Sequence, residues 1–327
     1  MGRTACGRPV LINNWEATYF GLDADRLVEI AATARDPGVE LIVLDDGWFG
    51  ARDDDTTSLG DSFVDRRKLP DGLDGVARRI TELGIGFGLW IEPEMVSQRS
   101  QLFEAHPDWA IGIPGRPRTE SRQQLVLDMS RPEVVDHLSA VLTEVLGSVP
   151  IAYVKWDMNR SITEPYSLSL PPDRQGEFFH RYILGTYELY RRLTERFPEI
   201  LFESCAGGGG RFDPGLLAFA PQAWTSDDTD AVERLRIQWG TSLASSGRPG
   251  PVARRPWARP SPASRPRSRG RLPRHDVARL RRPPGPRQHR RAQRHGADGR
   301  RTGPRLRALE AAARGDFWAR LFVLDAV

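Results

Sequence analysis

The chain has 327 residues, 39% of them apolar and 9% aromatic, enough for one large domain or two ordinary ones and too apolar for wholesale disorder. The sequence has no run of about 18 apolar residues, the length a membrane-spanning helix needs, and the N-terminus lacks the apolar core of a secretory signal. Two cysteines, Cys6 and Cys205, exclude a disulfide framework and point to a reducing cytoplasm. The net charge of +4 is an average over two unlike stretches. Residues 246–327 hold 22 of the 47 basic residues and five of the 43 acidic ones, which leaves 25 basic against 38 acidic residues in 1–245. The second stretch also carries 11 of the 26 prolines. Its composition cannot bury enough apolar surface to offset ordering entropy, so it reads as an irregular Arg/Pro-rich tail.

Residues 1–245 alternate two patterns. The first apolar run, Val10–Ile12, ends in Asn13-Asn14-Trp15, and a helix pattern follows over about Asp23–Arg35. Leu41–Leu44 ends in Asp45-Asp46-Gly47-Trp48, followed by a helix over about Leu73–Leu83. Gly86–Ile91 ends in Glu92-Pro93-Glu94. The next helix has Ser130 as its N-cap, Pro132 in its first turn, Glu133 completing a capping box, and Gly147 closing an apolar stripe. Ile151–Trp156 ends in Asp157-Met158-Asn159-Arg160, and a long helix covers about Asp173–Phe197. Ile200–Phe202 ends in Glu203-Ser204-Cys205, and Ala223–Ser226 in Asp227-Asp228. Continuous apolar runs fit strands buried on both faces, and their alternation with helices predicts βα repeats around a parallel sheet. A closed (β/α)8 TIM-type barrel and an open doubly wound sheet both fit that pattern. Polar residues at every strand end and the absence of Gly-x-Gly-x-x-Gly favour the barrel. Six strands are counted where closure needs eight, so the barrel is expected to be incomplete.

Carboxylates dominate those ends, and tryptophans stand among them at 15, 48, 90, 156 and 224. Paired carboxylates with aromatic platforms suit sugar chemistry, in which one acid attacks or activates water and another protonates the leaving oxygen. No histidine lies near the strand ends, so a nitrogen-ligated metal is not expected, while an all-oxygen hard-cation site stays open.

Six blocks together resemble the microbial α-galactosidases of glycoside hydrolase family 36: Trp15–Ala17, Leu44–Phe49, Trp90–Met95, Lys155–Arg160, Ser204–Asp213 and Trp224–Asp230. The resemblance covers about residues 8–245 and implies a (β/α)8 catalytic barrel, an α-galactoside oligosaccharide substrate, no cofactor and no metal. It implies that Asp157 is the nucleophile and Asp227 the general acid/base, with Asp228 as the competing choice. It implies further that Asp45 and Asp46 hold the galactose 4- and 6-hydroxyls, that Arg122, Lys155 and Asn159 contact other hydroxyls, that Cys205 and Gly207 lie near the 2-hydroxyl, and that Trp15 and Trp224 are apolar walls. Intact relatives are expected to be homo-oligomers.

The match stops at about Leu243–Ser245. The tract beyond has the composition of GC-rich coding DNA read in a shifted frame, and its prolines are expected to prevent the seventh and eighth strands. The 327-residue chain is therefore expected to be an inactive fragment of a retaining α-galactosidase. A related raffinose- or stachyose-synthase-like transglycosylase is the alternative within enzymes. Nucleic-acid binding through the basic tail is the alternative outside them, opposed by a tail with few aromatic residues and no recognised motif.

Overall fold

The computed structural model describes residues 9–245 and 320–322. The chain runs β1 (Leu11–Asn13), α1 (Trp15–Thr18), α2 (Ala24–Arg35), β2 (Leu41–Leu44), α3 (Gly72–Glu82) and β3 (Gly86–Ile91). It continues with β4 (Met95–Val96), α4 (Gln101–Ala105), β5 (Leu125–Val126), α5 (Pro132–Gly147), β6 (Ile151–Trp156) and α6 (Phe178–Arg196). β7 (Leu201–Ser204), β8 (Gln222–Ala223), α7 (Ala231–Ser245) and β9 (Arg320–Phe322) follow.

Strands β1, β2, β3, β6, β7 and β8 lie side by side in that order, each parallel to its neighbour. The order follows the chain without reversal, which a doubly wound sheet cannot do because its order turns back at a switch point. The sheet is a curled half-barrel of six parallel strands, as the pattern predicted. β4 and β5 form a separate antiparallel pair in the connection after β3.

The period of two divides β1 and β2 between two apolar clusters, and β3 and β6 add to them. Ile12, Ile42, Leu44, Phe87 and Leu89 join the large core shared with the helices, whereas Leu11, Leu41, Val43 and Tyr153 form a small cluster on the other face. Gly88 lies where the β3–β6 register shifts, and a Cβ there would stand 3.0 Å from the Tyr153 Cβ and 3.1 Å from its carbonyl oxygen. A side chain at this position would push the two strands apart.

Three expectations are corrected. Ser130 is not the N-cap of α5: Arg131 is, without a side-chain cap bond, because the Ser130 hydroxyl turns to the Asp128 carboxylate and Glu133 pairs with Arg131. The long helix begins later, since residues Pro172–Glu177 form a 3-10 segment before α6. The tail also supplies one strand, β9, which pairs antiparallel with the β1 edge. That strand falls in the proline-free stretch after Pro304, where ladder donors are intact. The remaining tail expectations, and Cys6, lie outside the described residues.

Candidate active site

Parallel strands deliver all their C-terminal ends to one side, so the polar residues that follow each run converge. Counting by twos from the inner cluster, Leu11 leads to Asn13, Val43 to Asp45, and Tyr153 to Lys155 and Asp157.

Asp45 is buried and held from three directions. Its Oδ2 accepts from Asn13 Nδ2 at 2.5 Å and from Lys155 Nζ at 3.1 Å, while its backbone N–H donates to Asn14 Oδ1 at 2.7 Å. Burial opposes the charge on Lys155, but Asp45 together with Asp157 and Glu203 holds its pKa well above the ordinary value. Asp46 receives the fork of Arg52, Nε to Oδ1 at 2.7 Å and Nη2 to Oδ2 at 2.8 Å. Arg52 is 1% exposed and lies over the rings of Phe20 and Phe49. Burial raises the Asp46 pKa despite this partner.

Asp157 follows β6 directly. Its Oδ1 accepts from the backbone N–H of Met158 at 2.8 Å and of Gly207 at 3.1 Å, and its Oδ2 from Trp90 Nε1 at 3.2 Å. Burial by itself raises its pKa. The Lys155 charge, the Cys205 thiol and the two amides outweigh burial and hold its pKa below the usual carboxylate value. The residues are thus arranged to keep one buried carboxylate ionised at a strand end.

The Gly207 amide reaches Asp157 because the loop after β7 turns tightly. Gly207 and Gly208 adopt left-handed φ values of 52° and 87°, a conformation glycine adopts without strain. A Cβ on Gly208 would stand 3.0 Å from the Asp227 backbone nitrogen, and one on Gly209 would stand 2.2 Å from the Thr225 carbonyl oxygen. The glycine run therefore lets the β7 and β8 ends approach. Cys205 is buried beneath it, its thiol pKa pushed up by burial and then by Asp157.

The Glu92-Pro93-Glu94 turn after β3 straddles the Asp157 segment. Glu92 accepts from the Asn159 backbone N–H and from Gln124 Nε2 at 3.2 Å. Burial, and then the neighbouring Asp157 charge, raise its pKa to about 8. Glu94 is fully buried and accepts from Trp156 Nε1, Tyr182 Oη, Thr186 Oγ1 and Arg211 Nη1. Glu203, on β7, accepts from Gln222 Nε2 at 2.9 Å and is raised by burial.

Bonded contacts thus join Lys155 to Asp45 and Gly207 to Asp157, and the Lys155 charge links the two pairs, with Asp46 adjoining Asp45 and Cys205 beside Asp157. Arg122 Nη1 donates to Asn159 Oδ1 at 2.6 Å, bringing that pair to the rim. Asp227 is exposed and its Oδ1 accepts from Trp224 Nε1 at 2.9 Å, so these two act as one unit after β8. Asp228 instead bonds the Asp230 amide, and Asp230 caps α7 through the Val232 and Glu233 amides. Trp15 is half-buried, edge-on to Tyr19 and Phe20, and its backbone N–H donates to Asn13 Oδ1. Sequence reasoning missed Arg52, the Asn13-Asn14 pair and Arg211. Asn13-Asn14, polar residues at a strand end, and Arg211, inside the Ser204–Asp213 block, carried a signal, and Arg52 did not. Among the described residues, no group of three or more His, Cys, Asp or Glu is arranged to hold a metal ion.

The melibiase family model matches residues 3–247. Alpha-galactosidase AgaA of Geobacillus stearothermophilus is 62% identical over 236 residues, covering 72% of this chain and 32% of that protein. Alpha-galactosidase 1 of Pediococcus pentosaceus is 53% identical over 237 residues, with the same two coverages. The crystal structure of AgaA, a glycoside hydrolase family 36 enzyme, matches with a TM-score of 0.73 at 61% identity, over 74% of this chain and 34% of that one. An AgaA variant in complex with raffinose matches over the same shares, with a TM-score of 0.72 at 60% identity. The chain spans about a third of the length of these relatives. A match over most of the described residues, at this identity, means that the chain belongs to the melibiase family.

Proposed function

We propose that these strand ends form the galactose-handling part of a retaining α-galactosidase acting on terminal α-galactosyl groups of oligosaccharides. The observation that carries this reading is Asp157, a buried carboxylate kept ionised by Lys155, Cys205 and two backbone amides. Its Oδ1 is occupied by both amides, so Oδ2, with the single longer bond to Trp90, is the attacking atom. Oδ2 attacks C1 and forms a glycosyl ester while protonated Asp227 gives its proton to the leaving oxygen. Asp227 then takes a proton from water, which attacks C1 and releases α-galactose. The two carboxyl groups work about 5–5.5 Å apart in such a site. Asp45 and Asp46 take the galactose 4- and 6-hydroxyls, and Arg122, Lys155 and Asn159 take further hydroxyls. Cys205 and Gly207 face the 2-hydroxyl, and Trp15 and Trp224 wall the ring. The raffinose bound to a relative supports the oligosaccharide class of substrate.

The 327-residue chain by itself is proposed to turn over far below ordinary enzyme rates. The described sheet is an open half-barrel, and a misplacement of about 1 Å in a catalytic group costs about a hundredfold. The test is a chimera in which residues 8–245 replace the matching stretch of AgaA. Hydrolysis of an aryl α-galactoside should return in the chimera, with α-galactose as the first-formed anomer. Asp157→Ala should then abolish it by about 10⁴-fold or more. Activity surviving that substitution, or β-galactose as first product, overturns the reading.

A further inference from the structure

Six carboxyl groups crowd the strand ends with low exposure: Asp45, Asp46, Glu92, Glu94, Asp157 and Glu203. Three cations stand among them, and Arg211 is bonded to Glu94. Arg52 commits its fork to Asp46, and Lys155 bonds Asp45 while facing Asp157. Arg160 is buried as well but gives its donors to the carbonyls of Ser161, Thr119 and Gln124 and to the Thr163 hydroxyl. Glu92 has no cation bonded to it. Its two bonds come from neutral groups, the Asn159 amide and the Gln124 side chain. The groups facing it from packed elements are Asp157 after β6, Asp46 after β2, and Arg52, which is already paired. Two anions and one neutralised cation around a buried carboxyl make a further negative charge there expensive.

We propose that Glu92 is a positioning residue that works uncharged, fixing the segment after Asp157 through the Asn159 amide without placing a second anion beside the nucleophile. A neutral carboxyl still accepts the Asn159 N–H through Oε1. Asn159 in turn accepts from Arg122, so one neutral acid sets the register of two proposed sugar contacts. The raised Glu92 pKa, about 8, agrees with this arrangement. The name of the site's substrate rests on the α-galactosidase reading, whereas the protonation of Glu92 does not.

The experiment uses the 327-residue chain and needs no substrate. A carboxyl whose pKa is raised by folding leaves the native state holding a proton that the unfolded chain has released. Stability tied to it is therefore present below the unfolded value of about 4.5 and falls until the folded value of about 8 is passed. Thermal unfolding of wild type and Glu92→Gln is compared from about pH 5 to about pH 9. The expected result is a Tm advantage for Glu92→Gln that widens up to about pH 8 and is level above it. Glu92→Ala, which cannot hold the Asn159 amide, should follow the same pH trend displaced to lower Tm. An independent reading is the infrared C=O stretch of a protonated carboxyl, lost between about pH 6 and about pH 9.5 in wild type and missing from Glu92→Gln. A Tm difference that does not change with pH, or the same infrared band in both proteins, would overturn the proposal.

Discussion

Asp46 and Asp157 are both buried carboxylates, yet they depend on different partners. Asp46 relies on the guanidinium of Arg52, which is itself buried. Removing one member of such a pair leaves an uncompensated charge inside the protein, so Arg52→Ala should lower stability by about 3–5 kcal/mol. Urea denaturation measures this, and a loss under about 1 kcal/mol would mean that water reaches Asp46 freely. Asp157 has its pKa held down, by Lys155 and then by the thiol and amide donors that overcome its burial. A depressed carboxyl pKa contributes stability above the unfolded value of 3.8, and that stability is lost as pH falls through the folded value. The Asp157→Asn variant should accordingly lose less stability than wild type on acidification below about pH 4. Parallel urea titrations at about pH 6 and about pH 3 decide it, and equal losses would count against an ionised Asp157.

At the scale of elements, two glycines in one stretch of chain test how tightly the helices are seated. Gly185 lies within α6, and a Cβ there would come 1.8 Å from the Met129 carbonyl oxygen, whereas one on Gly176 meets nothing within 4 Å. Gly185→Ala should cost about 1–3 kcal/mol through forced separation of α6 from the loop before α5. Gly176→Ala should be neutral or slightly stabilising. Equal Tm values for the two variants would mean that the α6 contact gives way easily. The first five parallel strands were legible because each contains an apolar run that stops at polar residues, and a buried parallel strand needs that pattern, whereas the sixth, expected over Ala223–Ser226, is only Gln222–Ala223. Asp45, Asp157 and Cys205 were legible for the same reason, since a strand end points its next residues into the site. The β4–β5 pair was not, because two residues per strand carry no periodicity. α7 carries apolar residues at Val232, Leu235 and Trp239, yet all three are exposed, so its stripe does not mark a core. Arg52 was hidden because its pairing with Asp46 crosses an irregular loop, where spacing predicts no contact. Ser130 misled because the capping rule is local, while its hydroxyl is claimed by Asp128, which precedes the helix.

The whole molecule joins stretches of opposite charge, and this has a consequence that depends on sequence alone. Residues 246–327 carry 22 arginines and five acidic residues, while 1–245 carry 25 basic and 38 acidic ones. A polyanion binds through the number of its charges neutralised and the counterions released, so affinity should fall linearly with salt on logarithmic axes. The 327-residue chain should be retained on a heparin column and leave it as salt rises. A chain ending at Ser245 should pass through, because its own excess is negative and repels the matrix. That truncation also removes β9 and so bares the β1 edge, on which unpaired backbone groups invite association between copies. Size-exclusion chromatography separates the two effects, since a charge effect alters retention on heparin without changing size, and an open edge changes size at any salt. Retention of the truncated chain on heparin would show that the acidic stretch carries a basic face of its own. Discrimination between duplexes of different sequence by the full chain would show that the tail reads bases rather than phosphates, which arginine density alone does not do.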